Sequence, residues 1–108
     1  MSRADPPDVS VVIPTYRAGE SLDTLLDELV AVFAEEELTA EYVVVDDRSP
    51  DDTWQRLRAT AERIPDLHAV RLQKNMGQMA ATLCGIAEAT GDVIVTMDDD
   101  LQHPPEEI

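Results

Sequence analysis

Residues 93–108 read VIVTMDDDLQHPPEEI: a β-branched apolar run, then Asp98, Asp99 and Asp100 in succession, then a polar, proline-containing tail. Like charges crowded in this way repel one another, so the triplet costs stability unless water, a cation or basic partners compensate it. The same grammar recurs upstream. VSVVIP (9–14) runs into Thr15-Tyr16-Arg17, EYVVV (41–45) into Asp46-Asp47-Arg48, and HAVRL (68–72) into Gln73-Lys74-Asn75. Runs of this length and composition suit strands buried on both faces of a sheet.

Helical periodicity fills the intervals. Leu22, Leu25, Leu26, Leu29, Val30 and Phe33 recur at amphipathic spacing behind Ser21, read as an N-cap. Ser49 as N-cap, Pro50 in the first turn and Asp51-Asp52 at the positive end announce a second helix. Trp54, Leu57, Ala61 and Ile64 line one side of it, and Pro65 stops it. Residues 77–90 form a third helix rich in small side chains that allow close packing, with Gly91 as its C-cap. Strands alternating with helices make βαβ units. The expected fold is therefore α/β, a mainly parallel Rossmann-like sheet with helices on both faces, over residues 9–108 behind a disordered Pro/Asp-rich segment, residues 1–8. In such sheets ligands bind beyond the carboxyl ends of the strands, which is where all four polar clusters fall.

Bulk properties exclude several classes. A formal charge of −15, from 23 acids against 8 Lys and Arg, is incompatible with a nucleic-acid surface built on phosphate neutralisation. The basic residues concentrate between Arg48 and Lys74. The single cysteine, Cys84, permits no intrachain disulfide and reads as a small buried hydrophobe in a reducing compartment. No apolar run reaches the roughly 18–20 residues that span a bilayer, and the polar start MSRADPPD is no signal peptide, so a cytoplasmic chain is expected.

Alternate residues of an extended segment point the same way, so Asp98 and Asp100 can face one centre, with Gln102 next in the alternation. Two hard carboxylates there suit Mg²⁺ or Mn²⁺ that keeps positions open for phosphate oxygens; the bland alternative is a solvated acidic turn. Asp46 and Asp47 likewise end an apolar strand and can accept bonds from a base N–H or ribose hydroxyls, Asp46 ahead of Asp47, which also reads as a turn or cap residue. Arg71 and Lys74 would suit a phosphate, although Arg71 reads first as a solvated strand residue. His103 reads as an exposed loop histidine or a ligand contact.

Together, VSVVIPTYRAGESL, VVVDDRSPDDT and LQKNMGQMAATLCGIAEATGDVIVTMDDDLQHPPEEI resemble the N-terminal half of family 2 glycosyltransferases of the GT-A fold. They are most similar to polyprenyl-phosphate glycosyltransferases of the dolichol-phosphate mannosyltransferase type, whose metal motif reads much like MDADLQHPPE. The resemblance implies transfer of a hexose from a UDP- or GDP-hexose to a polyprenyl phosphate at the membrane surface, on the cytoplasmic face in a full-length form. It implies Mg²⁺ or Mn²⁺ on Asp98, Asp100 and Gln102, and donor contacts from Pro14, Tyr16, Asp46, Asp47, Asp98 and Asp99. Three positions depart from the family pattern: Arg17-Ala18 stands where Asn-Glu is usual, Arg48 where glycine is usual, and Asp99 where alanine is frequent. The resemblance places the acceptor site and further catalytic residues downstream of Ile108, which makes the chain an apparently truncated half that is no competent transferase alone. Two other classes match parts of the pattern: a non-catalytic nucleotide-binding fragment, and a phospho-receiver domain, whose acid pair should instead follow the first strand.

Overall fold

The computed structural model describes residues 6–18 and 20–97. Its elements run β1 (Val9–Thr15), α1 (Glu20–Glu35), β2 (Ala40–Asp46), α2 (Thr53–Arg63), β3 (Leu67–Arg71), α3 (Gln78–Glu88) and β4 (Val93–Thr96). All pairings are parallel and the strand order is β3-β2-β1-β4. The chain therefore builds outward from β1 on one side through β2 and β3, then crosses back to set β4 on the other. The expected α/β architecture is present. The strand order could not be read from the sequence.

Pleat alternation divides the core. Val11, Ile13, Tyr42 and Val44 face Leu22, Leu25, Leu26, Leu29 and Phe33 of α1 and Leu57 of α2, while Val12, Val43 and Val45 face Ala81 of α3. Helices thus cover both faces, and β1 and β2, sandwiched between them, are apolar from Val11 to Pro14 and from Tyr42 to Val45, as parallel strands demand. Gly85 explains how α3 comes so close: a Cβ there would lie 2.4 Å from Cγ1 of Val12 and 3.3 Å from Cγ2 of Val45. Arg63 of α2 reaches Asp27 of α1 at 2.8 Å, and the Thr60 hydroxyl donates to Asp23.

Two local expectations, both N-caps, are corrected. Ser49 does not cap α2: its hydroxyl donates back to Asp46 at 2.5 Å, and α2 starts only at Thr53, whose N–H and hydroxyl both donate to Asp51 (3.1 and 2.6 Å). The acid nearer the helix outcompetes the serine because Ser49 already has a buried carboxylate as acceptor. Ser21 lies inside α1, its hydroxyl donating to the Ala18 carbonyl at 2.8 Å. Pro7 and Asp8 bond to the sheet: the Asp8 N–H donates to the Thr39 hydroxyl at 2.8 Å and its carboxylate accepts the Thr39 N–H at 2.9 Å, while the Pro7 and Asp8 carbonyls accept from Asp92 and Val93.

At the amino edge of the sheet sits a buried acid. Glu41 accepts the Ser10 hydroxyl at 2.5 Å, the Thr90 N–H at 2.6 Å and the Thr90 hydroxyl at 3.0 Å, with His68 Nε2 at 3.4 Å. Burial pushes its carboxyl up, but these donors and the His68 charge outweigh that and hold it below the ordinary value. Glu41 thereby pins the α3–β4 turn to the sheet.

Candidate functional site

The opposite, carboxyl edge gathers the loops that follow the strands. The order β3-β2-β1-β4 reverses direction between β1 and β4, and that reversal is where an open parallel sheet leaves a crevice. Thr15-Tyr16-Arg17 leaves one side of it. On the other side β4 pairs with β1 from Val93 to Thr96, and the Met97 N–H donates to the Val12 carbonyl at 3.1 Å. Pro14, buried in a central strand, would ordinarily cost a ladder bond. Its missing N–H lies on the β4 side, in the same alternation as Val12, whose carbonyl accepts from Met97. Asp98, Asp99, Asp100, Gln102 and His103 lie outside the described residues. Among the described residues no group of three His, Cys, Asp or Glu side chains is placed to hold a metal ion.

The acid pair after β2 divides between the two faces. Asp46, in phase with Tyr42 and Val44, turns toward the α1/α2 layer and is 0% exposed; Asp47 turns toward α3 and is 5% exposed. Asp46 accepts the Ser49 hydroxyl at 2.5 Å and the Ser49 N–H at 3.2 Å, and its cross-strand partner Arg71 places Nε 3.4 Å from Oδ2. That Nε has no hydrogen-bond partner, so the contact is one of charge alone. Asp47 accepts the backbone N–H groups of Met76 (2.7 Å) and Gly77 (2.9 Å) at the start of α3, and the Asn75 amide donates to its carbonyl at 3.0 Å. Gly77, at φ +97°, sits in a region that glycine adopts without penalty. A carboxylate facing the N–H groups at a helix start also meets the positive end of its dipole.

Ser49 closes the arrangement, because its hydroxyl oxygen accepts the Arg17 N–H at 2.9 Å. The loops after β1, β2 and β3 are thus stitched together through the segment 46–49. Tyr16 is 45% exposed on this edge, with the Arg17 guanidinium 5.4 Å from its ring centre. Arg17 and Arg48 both adopt left-handed backbone, φ +58° and +61°. Of the residues singled out from the sequence, Pro14, Tyr16, Asp46 and Asp47 come to this one edge. Arg71 is not a solvated strand residue but a partner of Asp46. Ser49, read as an N-cap, Gly77, read as a helix start, and Asn75 have no place in the site as read from the sequence, although an Asp three residues before a Ser is a turn signal that flags Ser49.

An open parallel sheet whose order reverses between β1 and β4, with an exposed tyrosine leaving the carboxyl end of β1, is an arrangement shared with nucleotide-binding α/β sheets. Against known families, the model described as glycosyl transferase family 2 matches residues 10–108. The chain belongs to this family. An undecaprenyl-phosphate 4-deoxy-4-formamido-L-arabinose transferase of Sodalis glossinidius is 46% identical over 102 residues, which cover 93% of this chain and 31% of that protein. A dolichol-phosphate mannosyltransferase of Pyrococcus furiosus is 45% identical over 100 residues, covering 93% and 28%. Among solved structures, a Pyrobaculum calidifontis mannosyltransferase in complex with GDP-Man and Mn²⁺ superposes with TM-score 0.76 at 31% identity over 90% of this chain and 28% of that one. S. aureus TarS 1-349 in complex with UDP-GlcNAc gives TM-score 0.71 at 29% identity, covering 86% and 26%. The chain spans about a third of the length of the curated relatives that it matches. Like these family 2 structures it is an α/β protein with a parallel sheet. Among the described residues no helix is long and apolar enough to cross a membrane.

Proposed function

We propose that this chain is the donor-binding part of a metal-dependent glycosyltransferase that takes a hexose from a UDP- or GDP-sugar and passes it to a polyprenyl phosphate at the cytoplasmic face of a membrane. One observation carries the reading: Tyr16 and the Asp46–Asp47 segment meet at the carboxyl edge, beside the β1/β4 reversal from which the chain runs into Asp98–Asp100. Tyr16 offers an exposed ring for a nucleobase. Asp47, with lone pairs beyond the two that Met76 and Gly77 occupy, accepts from the base or ribose, and Pro14 shapes the floor between β1 and β4.

Asp98, Asp100 and Gln102 would hold Mg²⁺ or Mn²⁺, with Asp99 beside the donor. Bound there, the ion supplies Lewis-acid neutralisation of the nucleoside diphosphate as it leaves. The chain's own described residues bind and orient the nucleoside. The names of the relatives, with a GDP-sugar and Mn²⁺ in one solved neighbour and a UDP-sugar in another, support the substrate class.

Calorimetric titration of GDP-mannose and UDP-GlcNAc, with and without Mn²⁺, tests the reading. Binding should require the cation and vanish in Asp98→Ala/Asp100→Ala. Metal-independent binding that survives the double substitution would favour the alternative of a non-catalytic nucleotide-binding fragment.

A further inference from the structure

Asp46 presents an electrostatic problem. A carboxylate taken wholly out of water needs donors and a counter-charge, and removing either leaves an uncompensated buried group. Its donors come from Ser49; its counter-charge is Arg71, on the neighbouring strand in direct register. Arg71 does more than balance charge. Its Nη2 donates to the Ser49 carbonyl at 3.3 Å, and its guanidinium lies 5.6 Å from the ring centre of Trp54 in the first turn of α2. One planar group thus touches the first residue of the 46–49 turn, the last residue of that turn and the helix beyond it. The same turn holds Arg17 through the Ser49 hydroxyl and the start of α3 through Asp47. A guanidinium that fixes this turn fixes all three loops of the edge.

We propose that Arg71 is a positioning residue for donor binding: it locks the 46–49 turn so that Tyr16 and Asp47 are held ready for the nucleoside. The role rests on the reading of this edge as the donor site. It makes no contact with the ligand and contributes by preorganisation, which lowers the ordering cost that binding would otherwise carry. The fork geometry is essential. A lysine at 71 keeps the charge opposite Asp46 but gives up the bond to the Ser49 carbonyl and the flat contact with Trp54.

The test compares the parent chain with Arg71→Lys, Arg71→Met, Ser49→Ala and Arg71→Lys/Ser49→Ala. Each is titrated with GDP and UDP at saturating Mn²⁺ and unfolded thermally. Trp54, the sole tryptophan, reports on the turn by its emission. Arg71→Lys should retain a thermal midpoint near that of the parent yet bind about tenfold more weakly, with altered Trp54 emission. Arg71→Met should lose stability and affinity together. The affinity losses of Arg71→Lys and Ser49→Ala should be less than additive, because both loosen one turn. Parent affinity in Arg71→Lys, or full additivity with Ser49→Ala, overturns the positioning role while leaving the donor site standing. A parent chain that binds neither nucleotide rejects the donor site and this role with it.

Discussion

Replacing Asp47 with alanine removes a carboxylate that accepts two backbone N–H groups, from Met76 at 2.7 Å and Gly77 at 2.9 Å. Losing a helix-capping acceptor costs about 0.5–2 kcal/mol, and a buried bond to a charged group contributes about 1.5–3 kcal/mol. The segment 75–77 borders solvent, so water recovers part of the loss. The expected destabilisation is about 2 kcal/mol, which lowers the thermal midpoint of a domain this size by roughly 8–16 °C. Asp47→Asn keeps one carbonyl oxygen as acceptor and should cost about half as much. Urea and thermal denaturation measure both, with an unchanged m-value showing that the loss is one of stability alone. Asp47→Ala within about 0.5 kcal/mol of the parent, the range of neutral surface changes, would refute the argument that this acid anchors α3. So would equal losses for alanine and asparagine.

Gly85→Ala should destabilise by up to about 2 kcal/mol, since overpacking against Val12 costs about 1–3 kcal/mol against the roughly 1 kcal/mol gained in helix propensity; adding Val12→Ala should cost less than the sum of the single changes in urea denaturation. Glu41→Gln should cost about 1–2 kcal/mol at pH 7. Because the folded Glu41 carboxyl lies below its ordinary value of 4.5, its stabilisation is complete above that pH and is lost as pH falls through the folded value, so the parent and variant denaturation curves should converge in acid. Arg48→Gly relieves a left-handed backbone that costs an L-residue about 1–2 kcal/mol, partly offset by the added freedom of the unfolded chain; a gain of about 0.5–1 kcal/mol in thermal unfolding is expected, and any loss contradicts the conformation.

The strands and helices were legible because each βα unit carries its own punctuation: an uninterrupted apolar run, then a polar cluster, then helical periodicity. Strand order was not, because periodicity says which face a residue occupies but not which strand lies beside it. The same distinction governs the site. Pro14, Tyr16, Asp46 and Asp47 could be grouped from their places after strands, yet adjacency of the acids concealed that pleating sends Asp46 toward α2 and Asp47 toward α3. Asp46 ranked first for nucleoside contact because it continues the strand directly. That continuity also buries it, at 0% exposure, under Ser49 and Arg71. Arg71 was passed over for a similar reason: its counter-charge lies some 25 positions away in sequence, one register step across the sheet. Ser49 and Pro50 carried a genuine helix-start signal, which lost to the buried carboxylate of Asp46 and to Asp51 nearer the helix.

A metal–nucleotide site at the β1/β4 end of the carboxyl edge can be located by paramagnetic broadening of backbone amide resonances by Mn²⁺ in the presence of GDP or UDP. In a chain with 23 acids the ion has many places to go, so location is the discriminating result. Broadening should centre on residues 96–102 and spread to Thr15, Tyr16 and Asp47, leaving Glu41 and Thr90 at the amino edge sharp. Broadening centred instead on the exposed acids of α1, such as Asp27 and Glu28, with the carboxyl edge unaffected, would contradict it.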